Sequence, residues 1–215
     1  MVEIQKKLTP YNLVKMENKK NTFIVVHYVG AVSTAKNNAL YYYNNRLKTS
    51  AHYFVDETSI WQSVEDCNRA WHCGGGLQGK NGHSFYGKCN NSNSIGIEMC
   101  CKLSSDGNWY FEAETVKNTI DLIKHLMEKY DIPLENVIRH YDVTGKNCPQ
   151  PYINDNAWNE FKRLLKEKKM DLKKAMDILK EKVGLEDKTI EFLLCYKFGT
   201  ELVTKLAKAV ESGGA

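Results

Sequence analysis

No stretch of this 215-residue chain approaches the roughly 20 consecutive apolar residues of a membrane span, and the N-terminal MVEIQKKLTPYNLVK lacks the continuous apolar segment of a signal peptide. Membrane insertion is therefore not expected. The chain is expected to be made in the cytoplasm, with other machinery needed for any release. Low-complexity sequence is absent, which excludes a disordered or fibrous class. The net charge is only +4, too small to argue for a nucleic-acid partner. A disulfide framework is also missing: the seven cysteines are odd in number and Cys100 and Cys101 are adjacent, so reduced thiols are expected.

What remains is a soluble chain long enough for one substantial core and a small second one. Thr22–Tyr28 (TFIVVHY) and Ser94–Cys101 (SIGIEMCC) read as buried strands. Ala51–Val55 and Ser59–Val64 read as a hairpin about Asp56-Glu57-Thr58, and Val137–His140 as a further strand. Helices are expected over Thr34–Leu47 with Ser33 or Thr34 as N-cap, over Ala113–Tyr130, where Val116, Ile120, Ile123, Leu126 and Met127 fall at helical spacing, and over Asn154–Lys168. Residues 1–20 read as a loosely packed lead-in. Residues 67–93 are rich in Gly, Asn and aromatics and show no period; a connection of that length usually builds a binding groove.

The character changes near residue 169. Leu172–Val183, Lys188–Tyr196 and Glu201–Val210 are three short amphipathic segments, with Gly184 and Gly199 at the breaks as stop signals. The expected fold class is α/β: a central mixed β-sheet flanked by helices over residues 1–169, with a small three-helix domain over residues 170–215.

The chemistry concentrates in Val137–Pro149, VIRHYDVTGKNCP, which holds His140, Lys146 and Cys148. Histidine and cysteine suit zinc, and His27 ends another apolar run. Three protein ligands, His27, His140 and Cys148, would leave a fourth position open, the catalytic pattern for zinc. Glu98 is the lone charge in a buried run and a candidate general base. Lys146 is placed to stabilise an oxyanion. These are the parts of an amide hydrolase, provided the sheet brings them together. Cys67, Cys73 and Cys89 fit no compact ligand pattern. Cys100, Cys101 and Cys195 read as small core residues, the Tyr41–Tyr43 run as helix packing, and His52 as a packed histidine.

The motifs FIVVHYVG, SAHYFVD, AWHCG, NSNSIGIEMC and RHYDVTGKNCP, in this order, resemble the zinc-dependent N-acetylmuramoyl-L-alanine amidases of the phage-endolysin and peptidoglycan-recognition superfamily. The resemblance covers about residues 20–165. It implies one zinc ion at His27, His140 and Cys148, catalytic roles for Glu98 and Lys146, and bacterial cell-wall peptidoglycan as the partner, cut between muramic acid and L-alanine by a monomeric phage or prophage endolysin. Trp71 and His72 of AWHCG are candidate substrate contacts. Some members carry a catalytic tyrosine directly before the histidine of the second motif, where this chain has Ala51; Tyr53 is expected to face away, leaving Glu98 as the base. The tail would be a cell-wall-binding module. Two competing readings stay open: a thiol hydrolase with Cys148 as nucleophile and His140 as base, and a peptidoglycan-binding protein without catalysis.

Overall fold

The apolar run that begins at Phe23 becomes a ten-residue strand, and the rest of the sheet is arranged about it. In this computed structural model, which describes residues 2–77, 83–167 and 170–213, the chain divides into two compact units, 1–166 and 167–215. The first unit carries strands β1 (Ile4–Lys6), β2 (Phe23–Val32), β3 (Tyr53–Val55), β4 (Ile60–Gln62), β5 (Ser94–Leu103), β6 (Trp109–Tyr110) and β7 (Val137–Arg139). They form one mixed sheet in the order β1-β4-β3-β5-β2-β7, with β6 pairing off β5. β2 runs parallel to both β5 and β7, while β3 and β4 form the antiparallel hairpin.

Alternation along the strands separates two faces. Ile24, Val26, Ile95, Ile97 and Met99 face the main core. There they meet Leu122, Ile123 and Leu126 of α2 (Ala113–Tyr130) and Trp158, Phe161 and Leu165 of α4 (Asp155–Lys166). Fully burying a side chain of the size of Ile97 or Phe161 contributes about 1.5–3 kcal/mol, so this face anchors the unit. The other face is covered in part by Ala35 and Ala39 of α1 (Ala35–Asn44) against Phe54 and Cys100. Val25 and Ile138 pack there with Val143 of the short α3 (His140–Thr144) and with Cys89. His27 and Glu98 belong to this second face and are paired in register across β2 and β5.

Several sequence expectations are corrected. Residues 1–20 are not a loose lead-in: β1 pairs with β4, and Thr9 and Asn12 are buried in a network that reaches the carbonyls of Tyr42 and Asn45. Val137–His140 is a strand only to Arg139. The Asp142 carboxylate accepts from the Arg139 backbone N–H and turns the chain into α3, so His140 starts a helix. The hairpin strands are shorter than expected, at Tyr53–Val55 and Ile60–Gln62. Of the Tyr41–Tyr43 run, Tyr42 stacks on Phe54 while Tyr41 and Tyr43 are exposed.

Asp56, at the hairpin turn, ties three elements together. Its carboxylate accepts from the backbone N–H of Ala35 at the start of α1 and from those of Thr58 and Ser59. Burial alone would raise its pKa, but these donors outweigh it and hold the group below its usual value. A depressed carboxylate pKa contributes stability above the unfolded value and loses it as pH falls through the folded one. Asp56→Ala should therefore lower urea-measured stability by about 3 kcal/mol at pH 7, and the gap to wild type should narrow below about pH 4. A gap that stayed constant with pH would count against this account.

The second unit contains α5 (Leu172–Val183), α6 (Asp187–Leu194) and α7 (Gly199–Ser212). Asp171 caps α5, accepting from the N–H groups of Lys173 and Lys174, and Gly184 ends it in the left-handed region at φ 72°. Ala175, Ile178, Leu179, Ile190, Val203 and Ala207 form a separate core. Gly199 does not end a helix; it is the first residue of α7, where an added Cβ would collide with the backbone of Leu193 and Leu194. Cys195, expected in a core, is exposed. No helix among the described residues is long and apolar enough to cross a membrane.

Candidate metal centre and active site

β2, the N-terminus of α3 and the segment after α3 bring His27, His140 and Cys148 together, all three buried. One donor atom from each lies within 4.8 Å of the others. Cys148 Sγ is 3.6 Å from His27 Nδ1. That matches the edge of about 3.5 Å expected between a sulfur and a nitrogen bound tetrahedrally to zinc at ~2.3 and ~2.05 Å. His140 Nε2 donates to the Gly74 carbonyl at 3.2 Å, which leaves its Nδ1 buried without a partner. A buried imidazole nitrogen without a hydrogen-bond partner, on a residue grouped with a second histidine and a cysteine, fits a metal ligand.

The electrostatics agree. His27 is pushed well below the ordinary histidine range by burial and by the charges of His140, His72 and Lys146, and burial brings His140 down to about 4. Both rings are thus neutral at physiological pH, the state that binds metal. Burial pushes the Cys148 thiol up to about 12, so without a cation beside it Cys148 is a poor nucleophile. The imidazole nitrogen facing Cys148 is that of His27, rather than the His140 base that a thiol hydrolase would use.

Glu98 lies beside His27 on the neighbouring strand. One carboxylate oxygen is buried without a hydrogen-bond partner. Burial raises its pKa to about 8, and the opposing influence is the charge of Lys146. Lys146 is exposed, just past Gly145, whose φ of 75° closes α3. A cleft of about 520 Å³ is lined by Trp71, His72, Gly74, Asn91, His140 and Lys146, so His140 and Lys146 of the candidate site form part of its wall. Trp71 is half-buried on its wall. His72 is 7% exposed and engaged with protein groups at both ring nitrogens.

Tyr53 is turned away, its hydroxyl donating to Asp66 at 2.7 Å, and Ala51 is buried against the α1 side. His52 is fully buried, accepting from the Gly96 N–H. Among the three loop cysteines, Cys67 is exposed while Cys73 and Cys89 approach to 4.0 Å. Sequence reasoning missed Lys19, whose Nζ contacts His52 and donates to the Ser94 carbonyl beneath the site. It also missed Gly96, although a glycine inside a buried strand is itself a sign of close approach.

Comparison with known proteins sets this geometry in a lineage. The family profile described as N-acetylmuramoyl-L-alanine amidase matches residues 17–151. The chain is 33% identical over 142 residues to the N-acetylmuramoyl-L-alanine amidase CwlL of Bacillus licheniformis, covering 62% of this chain and 37% of that protein. It is 34% identical over 153 residues to the amidase BlyA of Bacillus subtilis, covering 67% of this chain and 41% of that one. It thus spans about two fifths of the length of these relatives. Among solved structures, a mutant endolysin from Bacillus subtilis superposes with a TM-score of 0.61 at 31% identity, over 77% of this chain and 99% of that one. The catalytic domain of XlyA gives 0.61 at 30% identity, over 76% and 99%. The matched segment contains every residue of the cluster at the cleft, and on that sequence and fold the chain belongs to the N-acetylmuramoyl-L-alanine amidase family.

Proposed function

We propose that this protein is a zinc-dependent hydrolase that cuts the amide bond between N-acetylmuramic acid and L-alanine in bacterial peptidoglycan, acting as a phage or prophage endolysin. The convergence of His27, His140 and Cys148, with His140 Nδ1 bare, is the observation that carries this reading. Those three residues would hold the zinc. Such an ion would supply Lewis-acid chemistry, polarising the scissile carbonyl and lowering the pKa of water.

The protein's own groups supply the rest. Glu98, in register with His27, takes the proton of the attacking water and returns it to the leaving amine of L-alanine. Its raised pKa keeps it basic enough to accept that proton, and a divalent cation nearby would draw the value back toward neutrality. Lys146, at the cleft wall, offers its ammonium to the oxyanion of the tetrahedral intermediate. Trp71 presents a ring face to the glycan on the same wall. The helical unit, with its own core and exposed Phe192, Tyr196 and Phe198, is proposed to hold the enzyme to the wall.

Digestion of purified peptidoglycan followed by mass analysis tests the bond. Stem peptides with a free L-alanine amine and uncut glycan strands whose muramic acid residues carry free lactyl carboxylates are expected, with activity abolished by EDTA and restored by zinc. Turnover in a demonstrably metal-free sample would sink the zinc assignment. Retention on cell walls without release of new amines would select a binding protein instead.

A further inference from the structure

The two ring nitrogens of His27 face different partners. Nδ1 lies toward Cys148 Sγ at 3.6 Å, where the three donor atoms gather. Nε2 lies 3.1 Å from Nδ1 of His72. From His72 the contacts continue: its Nε2 is 3.2 Å from Ser94 Oγ, and the Ser94 hydroxyl donates to the Asn90 carbonyl. A carbonyl can only accept, so the chain has a direction. Ser94 spends its proton on Asn90 and accepts from His72 Nε2–H; His72 Nδ1 is then the acceptor, and His27 must donate from Nε2. A neutral imidazole carries one proton, so this order leaves His27 Nδ1 bare toward the metal position. Cys73 Sγ also lies 3.3 Å from His72 Nδ1, but a thiol is the weaker donor and has Cys89 Sγ and Ser94 Oγ as other partners.

The His72 ring is held in place. The backbone N–H groups of His72 and Cys73 both donate to Asn91 Oδ1, at 2.9 and 2.7 Å. The ring lies flat on β5 at Gly96, where an added Cβ would come within 2.5 Å of its Cγ. Two residues on, the Gly74 carbonyl accepts from His140 Nε2. One short segment, His72 to Gly74, therefore serves the outer nitrogen of both histidines at the centre. We infer that His72 is a positioning residue of the metal centre, holding His27 in the Nε2–H tautomer with Nδ1 toward the metal, rather than a contact to substrate. The inference rests on the zinc reading above and adds to it the residue that orients one ligand.

Zinc affinity, measured by competition with a chromophoric chelator, tests it on the full chain. His72→Ala should weaken zinc binding by about 10–100-fold, the range for losing an outer partner of a ligating histidine. His72→Asn, whose Oδ1 replaces Nδ1 as the acceptor, should recover most of that loss. In the metal-free wild type, long-range 1H–15N spectra should show His27 as a single Nε2–H tautomer, and His72→Ala should convert it to a mixture. Gly96→Ala, which displaces the ring while keeping His72, should weaken zinc binding as well, and with His72→Asn it carries the test if His72→Ala fails to fold. A folded His72→Ala protein with wild-type zinc affinity and an unchanged His27 tautomer would overturn the proposal; so would lost activity with both of these unchanged, which marks a substrate contact. Wild type that binds no zinc would sink the zinc reading and this role together, whereas normal wild-type binding with an indifferent variant sinks the positioning role alone.

Discussion

Glutamine at position 98 should cut kcat for muramoyl–L-alanine cleavage by about 10²–10⁴-fold, the usual worth of a positioned general base, while zinc binding stays normal. Glu98 is paired in register with His27, so the substitution leaves the sheet and the ligands in place and removes only the ability to take a proton. The pH profile separates this from mere disturbance. A base works when deprotonated, so wild-type activity should fall as pH drops through the Glu98 pKa, and Glu98→Gln should lose that acid limb. Stability gives an independent reading with the opposite logic. In the metal-free protein Glu98 is raised to about 8, well above its unfolded value, so its ionisation opposes folding as pH rises from about 4.5 toward 8. Metal-free Glu98→Gln should therefore be more stable than wild type at pH 8, with the difference closing near pH 4. A Glu98→Gln enzyme with a wild-type rate and profile would remove Glu98 from the mechanism.

If Cys148 is the zinc ligand proposed, Cys148→Ala should abolish wall lysis and weaken zinc binding by more than the roughly 100-fold that outer-partner changes cost. Aspartate at the same position tells ligand from nucleophile. A carboxylate can bind zinc but cannot act as a thiol, so Cys148→Asp should retain measurable, EDTA-sensitive turnover. A thiol hydrolase would be dead in both variants and would resist chelation in the wild type. The buried thiol, held up to about 12, already speaks against nucleophilic use. Cys148→Ala with normal zinc content and normal rate would sink the ligand assignment.

How far the sequence could be read depended on the range of the forces involved. α2 falls on Ala113–Tyr130 as its apolar spacing predicts, because that pattern is local and Pro133 follows closely. The β2 and β5 runs were legible for the same reason, yet His27 and Glu98 fall inside their strands, not at the ends, because both strands continue to Val32 and Leu103. β1 was illegible: Ile4–Lys6 is too short and polar to announce a strand, and becomes one by pairing with β4 across more than fifty residues. His140 was misplaced by one residue because the turn is made by the Asp142 side chain, a bond that periodicity does not encode. Of the candidate site, the residues proposed as ligands were visible in VIRHYDVTGKNCP and FIVVHYVG; their convergence needed the sheet order. His72 was visible as a residue beside a groove, while its contact with His27 depends on a glycine forty-odd positions upstream of His140 making room for a ring.

The in-register pairing of His27 with Glu98 has a practical corollary for engineering. Adjacent parallel strands are held about 4.8 Å apart by backbone hydrogen bonds, so the spacing between these two side chains is set by the sheet rather than by the loops. Under the proposed function, cleft-lining residues outside these two strands, Lys48, Thr49 and Trp71, can accordingly be varied to redirect the activity toward other wall types. Selectivity and turnover become separately adjustable, and a library confined to those three positions varies the first while leaving the His72–Gly74 stretch, Asn90 and Asn91 in place.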